Sequence, residues 1–159
     1  MKKVLYFSFG SNMYSGRIEF RLANPIKVRT YKLKGWKLMF NAESEYGCQC
    51  YANIVRGAKT DFVEGVLYDL THAQYRVLDM HEGLYERQYF DIDSDTLGCV
   101  YVCPPKNCGN TYIPDEYYLE RCIQGAIENE LDHTVAYLIN LKEQIDFGSI
   151  YRRKVNNNY

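Results

Sequence analysis

The sequence predicts an α+β domain, on three observations. Short runs rich in Val, Ile, Phe and Tyr fill the first two thirds of the chain; two longer segments with apolar residues at three- and four-residue steps follow Pro114; and 159 residues suit a single core. A chain of this length buries about 70% of its extended surface on folding. With 47% hydrophobic and 25% charged residues and few prolines, the composition is that of a globular chain rather than a disordered or fibrous one. No repeat and no Gly-, Ser- or Pro-rich linker divides it. Residues 1–150 are therefore expected to form one domain, followed by a polar tail over 151–159.

The elements follow in order. A first strand at about 3–9 ends abruptly in Gly10-Ser11-Asn12, and Ser15 is placed to cap a short helix that Asn24-Pro25 ends. Strands are expected at about 26–32, 36–41, 50–55 and 63–69. Thr71 and Gln74 have the spacing of a capping box, which opens a helix running to about Met80. Two more strands fall at about 87–93 and 97–103. Pro114-Asp115 then opens what the pattern makes the longest helix, where Leu119, Cys122, Ile123, Ala126 and Ile127 form one apolar stripe fit to lie on a sheet or barrel. A last amphipathic segment runs from Thr134 to Gln144.

A net charge of -1, with Lys and Arg spread along the chain, supplies no basic stripe to neutralise phosphates or hold an acidic membrane surface, so neither nucleic acid nor membrane is expected as a partner. Lys2 and Lys3 precede an apolar run too short for a membrane span, and no A-x-A-like cleavage site follows; the chain is expected to be cytoplasmic. The six cysteines, Cys48, Cys50, Cys99, Cys103, Cys108 and Cys122, lack the C-x2-C spacing of a zinc knuckle. Cys48 with Cys50, and Cys99 with Cys103, read instead as small apolar fillers of a buried strand face, and no metal is expected. His72 and His133 lie in segments that look like helix starts, without a ligand partner at helical spacing; only His81 falls in a stretch that draws notice for its chemistry, next to Glu82.

Two stretches carry chemistry. In V-L-Y-F-S-F-G-S-N-M, residues 4–13, a buried strand breaks into small polar residues before a helix. Such a turn either simply enters a capped helix or aims several backbone N–H groups at one point, suited to a carboxylate or a developing oxyanion. It lacks the Gly-Lys-Ser/Thr ending of a phosphate loop. In V-L-D-M-H-E-G-L-Y-E-R-Q-Y, residues 77–89, Asp79 and Glu86 have Arg76 and Arg87 near in sequence, whereas Glu82 stands before Gly83 among Met80, Leu84, Tyr85 and Tyr89. Glu82 is either a solvated loop residue or a partly desolvated carboxyl whose pKa is raised toward the range useful for moving protons at neutral pH.

Together these stretches resemble the gamma-glutamylcyclotransferase family. Y-F-S-F-G-S-N-M is similar to its Y-F-A-Y-G-S-N-L, and L-D-M-H-E-G to its L-D-x-x-E-G. Y-L-E-R-C-I-Q-G-A-I-E-N-E-L, starting at Tyr118, is similar to its Y-x-x-x-x-x-x-G-A-x-E-N-x-L. Asn24-Pro25 and V-E-G-V-L-Y at 63–68 agree as well, so the likeness runs to about residue 135. The resemblance implies a small mixed β-barrel with helices packed on its outside and a cavity closed by the G-S-N loop. It implies Glu82 as catalytic acid/base, a substrate-binding loop of Tyr6, Phe7, Ser8, Phe9, Gly10, Ser11 and Asn12, and pocket tyrosines Tyr89, Tyr101 and Tyr118. Phe9 stands where the family usually has Tyr, which removes a hydroxyl near the loop; Met13 replaces Leu at similar volume.

The implied reaction needs no cofactor. The α-amine of a γ-glutamyl compound attacks its own γ-carbonyl, closes a lactam and releases an amine and 5-oxoproline. The partner is then a small γ-glutamyl molecule, and the protein is expected to be a monomer or homodimer. The sequence leaves three readings open: an enzyme acting on γ-glutamyl amino acids or amides, a narrower enzyme for one γ-glutamyl amine or biosynthetic intermediate, and a non-catalytic ligand-binding or interaction protein. It also leaves open whether the G-S-N loop holds the α-carboxylate or the oxyanion. Most of the 16 tyrosines are expected to pack on the sheet, with a few hydroxyls lining the cavity.

Overall fold

The computed structural model describes residues 1–44, 50–109 and 113–145. Seven strands and four α-helices appear among them: β1 (Lys3–Ser8), α1 (Ser15–Arg21), β2 (Ile26–Lys34), β3 (Trp36–Glu43), β4 (Cys50–Arg56), β5 (Phe62–Asp69), α2 (His72–His81), β6 (Glu86–Asp91), β7 (Thr96–Val102), α3 (Glu116–Glu128) and α4 (Asp132–Ile145). Every strand lies within two residues of its expected bounds. Cys48 and the tail over 151–159 fall outside the described residues.

The strands form a five-stranded sheet in the order β2-β5-β1-β7-β6 and a separate two-stranded ribbon of β3 and β4. The pairings are antiparallel except β1 with β7, which run parallel. The α+β class therefore holds, but the barrel does not close. β2 and β6 are the free edges of the sheet, and β3 and β4 pair with each other rather than bridging those edges.

Strand alternation divides the side chains of β1 between two faces. Phe7 is fully buried and packs edge-on against Tyr31 and Phe90 at 6.0 and 5.8 Å between ring centres. Tyr6 lies on the opposite face, stacked with Tyr68 at 6.1 Å and edge-on to Tyr101 at 5.9 Å. That second face carries the site.

Local chemistry starts the helices largely where the residues suggest. Thr71 and Gln74 form the reciprocal capping box of α2, and the Asp115 side chain accepts from the Tyr118 N–H to cap α3. Leu119, Cys122, Ile123 and Ala126 are buried as expected, whereas Ile127 is half exposed. At 14 residues α4 is one residue longer than α3, so the segment after Pro114 is not the longest helix. Ser15 differs too. It is the first residue of α1 rather than its cap, and its N–H and hydroxyl both donate to Glu128 of α3. A carboxylate from another helix thus does the capping. The five described cysteines are free, and all but Cys108 are buried; burial pushes the Cys50 and Cys122 thiols up to about 12, as expected of apolar filler.

Candidate active site

Beyond the end of β1 the chain makes one tight 3-10 turn, Ser11–Met13, before α1. The N–H groups at the start of such a turn have no partner within it, which leaves those of Ser11 and Asn12 available. Two contacts with α3 hold this turn. A Cβ added at Gly125 would lie 2.6 Å from the Tyr14 nitrogen and 2.8 Å from the Met13 carbonyl carbon, so only glycine lets the helix approach so closely. Four residues on, the Asn129 Nδ2 donates to the carbonyls of Met13 and Gly125 at 3.0 and 2.8 Å. The G-A-x-E-N stretch of α3 is therefore a clamp: Gly125 gives the close approach, Glu128 takes Ser15, and Asn129 ties down the turn.

A cavity of about 680 Å³ opens between this turn, the end of α2, α1 and β4. It brings together ten of the eleven residues singled out from sequence: Tyr6, Phe7, Ser8, Phe9, Gly10, Ser11, Asn12, Glu82, Tyr101 and Tyr118. Phe7 turns its ring to the opposite face of the sheet, against Tyr31 and Phe90. Tyr89 is the exception. It sits on the edge strand β6 in register with Cys99, 53% exposed, and does not line the cavity. The tyrosine that fills this part of the wall is Tyr85, in the turn between α2 and β6, whose hydroxyl donates to the Ala52 carbonyl at 2.8 Å. The Ala52 N–H in turn donates to the Tyr118 hydroxyl at 3.1 Å. One residue of β4 thus fixes two phenols, and a Cβ on Gly10 would stand 3.2 Å from the Tyr118 oxygen.

Glu82 ends α2 as its C-terminal cap, and its side chain is 14% exposed. Asn12 Nδ2 donates to Glu82 Oε1 at 3.2 Å and to the Tyr6 hydroxyl at 3.1 Å, while Asn12 Oδ1 accepts from Arg21 at 2.9 Å. Arg21 is 3.9 Å from Glu82 Oε1, too far for a tight ion pair. Burial accordingly outweighs the pull of Arg21, Arg17 and Asn12, and the Glu82 carboxyl is raised above its ordinary value. Tyr6 and Tyr85 are raised by burial and then by the charge of Glu82, and Tyr118 by burial and then by Cys122. All three remain neutral phenols at physiological pH. His81 lies exposed at the mouth, its pKa lowered by partial burial and then by Arg21 and Arg17.

The end of α2 is anchored by Asp79. Arg87 of β6 grips it with Nε and Nη2 at 2.8 and 2.6 Å, and the Tyr101 hydroxyl donates to it at 2.6 Å. Tyr101 lines the cavity, yet its hydroxyl is directed at this anchor. Arg17, Arg21 and Tyr85 also line the cavity, Tyr85 expected from the sequence only as a neighbour of Glu82 and the arginines not singled out. The arginines had a signal, since positions i and i+4 of a helix share a face. Among the described residues, no three His, Cys, Asp or Glu side chains gather so as to hold a metal ion.

The family model for gamma-glutamyl cyclotransferase, AIG2-like, matches residues 6–120, the span from the start of the loop through Tyr118. The chain belongs to this family. Among solved structures, a gamma-glutamyl cyclotransferase is similar at 24% identity and a TM-score of 0.72, over 87% of this chain and 86% of that one. A protein from Homo sapiens is similar at 24% identity and a TM-score of 0.68, over 87% and 85%. YkqA from Bacillus subtilis follows at 19% and 0.70, over 88% of this chain but 54% of its own. At these identities the likeness is one of fold. No curated protein matches the chain. No helix among the described residues is long and apolar enough to cross a membrane.

Proposed function

We propose that this chain is a γ-glutamylcyclotransferase, converting a γ-glutamyl amide into 5-oxoproline and a free amine with Glu82 as acid and base. The observation that carries the reading is one carboxyl, raised by burial, at the wall of a cavity whose loop offers backbone N–H groups beside it. The substrate brings its own nucleophile. Its α-ammonium gives a proton to the Glu82 carboxylate, the freed amine attacks the γ-carbonyl carbon, and the C–N bond to the leaving group breaks as Glu82 returns a proton to that nitrogen. Over the whole reaction the ring nitrogen loses two protons and the released amine gains two, so the balance closes without a co-reactant.

Holding a flexible chain in the attacking conformer supplies about 7–11 kcal/mol in well-oriented intramolecular reactions. Proton transfer by a placed carboxyl adds about 10²- to 10⁴-fold. The Ser11 and Asn12 N–H groups serve the head group, as receptor of its α-carboxylate or of the oxyanion. Phe9, buried and lining the cavity, favours a second reading in which the same chemistry acts on a narrower substrate.

The test is a panel of γ-glutamyl amino acids, γ-glutamyl-ε-lysine and γ-glutamyl amines, with 5-oxoproline followed by mass spectrometry and α-glutamyl isomers as controls. The proposal expects 5-oxoproline from γ-glutamyl compounds alone. Binding without product throughout the panel would overturn it. So would 5-oxoproline from the α-glutamyl controls, whose amine sits next to the peptide carbonyl and cannot close this ring.

A further inference from the structure

Arg17 acts on Glu82 only through its charge and makes no direct contact with it. It lines the same space as Glu82, and among the described residues it has neither a hydrogen bond nor an ion pair; its Nε is shut off from solvent without an acceptor. Its neighbour Arg21, by contrast, donates to Asn12. Burial, then repulsion from Arg21 and Arg121, lowers the Arg17 pKa, as befits an uncompensated cation. The Arg17 Nε–H has lost water without gaining an acceptor, which an anion entering the cavity would supply. Among the described residues the cavity wall holds two guanidinium groups and one carboxylate, that of Glu82, so its charge complements a ligand with one net negative charge.

We propose, resting on the cyclotransferase reading, that Arg17 is a specificity-determining residue: its guanidinium receives the carboxylate of the amino acid being released. Charge carries the assignment. The head group of a γ-glutamyl compound is a zwitterion, so a net charge of minus one requires a further carboxylate on the leaving part. The head group's α-amine must meet Glu82, and the Ser11 and Asn12 N–H groups lie on the loop side beside it. Arg17, on α1, is then the cation left for the carboxylate of the leaving part. Leaving groups that are α-amino acids fit this arrangement, and simple amines leave the cation unpaired.

γ-Glutamylalanine and γ-glutamylethylamide differ only by that carboxylate, so the ratio of their kcat/KM values isolates it. The native protein should prefer γ-glutamylalanine by about 10- to 100-fold, the worth of a charge-assisted hydrogen bond. Arg17→Met should reduce the ratio to within about threefold of unity, mainly through KM for γ-glutamylalanine. Thermal stability should hold or rise, since an unpaired cation has been removed. Arg17→Lys, which keeps the charge but loses the fork, should give an intermediate ratio and decides the matter if Arg17→Met does not fold.

A ratio left unmoved while both substrates suffer equally would overturn the assignment, and is what a role toward the head group or a purely structural role would give. In that case the cyclotransferase reading survives. A native protein that turns over neither compound overturns both.

Discussion

Asp79 and Glu82 stand three residues apart at the end of the same helix, and their surroundings drive them in opposite directions. Asp79 faces the sheet edge, where burial pushes its carboxyl up but the hydrogen bonds of Arg87 and Tyr101 more than reverse that, and its pKa falls. Glu82 faces the cavity, where burial dominates over a 3.9 Å approach of Arg21 and one amide hydrogen bond, and its pKa rises. One carboxylate is locked in its charged form and serves as an anchor; the other is placed where taking up and giving back a proton costs little. Two identical functional groups thus acquire different work from what the fold sets beside them.

Removing the proposed proton carrier should have the largest effect. Glu82→Gln keeps the size and the Asn12 contact, so the fold should persist while 5-oxoproline formation falls about 10²-fold or more; near-normal turnover in single-substrate kinetics would remove Glu82 from the chemistry. Asp79→Asn comes next. Loss of the grip of Arg87 should cost about 1 kcal/mol in denaturant unfolding, discounted for the exposure of the pair, and lower kcat about tenfold by loosening the end of α2.

The two substitutions should also tilt stability with pH in opposite senses. Because the Glu82 pKa is raised by folding, its protonated form stabilises the native state below the ordinary Glu range, and this is lost as pH rises through the raised value. The native protein should therefore lose ground to Glu82→Gln as pH increases. Because the Asp79 pKa is lowered, its contribution is present above the ordinary Asp value of about 3.9 and is lost as pH falls through the lowered one. The native protein should lose ground to Asp79→Asn on acidification. Melting temperatures across the pH range read both slopes. Smallest is Tyr101→Phe, which removes one of the donors to Asp79 and should lower kcat by about two- to threefold, with a stability loss below about 1 kcal/mol in the same unfolding assay.

How far the sequence announced this arrangement depends on whether the information was local. The strand bounds, the capping box at Thr71 and Gln74 and the Asp115 cap follow from residues a few positions apart, and they were readable. Glu82, the G-S-N loop and Tyr118 were readable because they sit in motifs. What failed was long-range. The free edges at β2 and β6 follow from β3 pairing with β4, a choice of partner that no alternation pattern encodes. The resemblance implies Tyr89 as a pocket residue, yet the chain reverses in the turn holding Tyr85 and directs that ring inward instead. The capping of Ser15 by Glu128 spans 113 residues and was equally out of reach.

The most direct test of the division between the two carboxyls is their titration within one sample. Protein labelled with ¹³C at the Asp and Glu side-chain carboxyls, assigned through Glu82→Gln and Asp79→Asn, reports each midpoint by NMR. Glu82 should titrate above the ordinary Glu range and Asp79 below the ordinary Asp range. Both midpoints within their ordinary ranges, or Glu82 below Asp79, would contradict the assignment of one as proton carrier and the other as anchor.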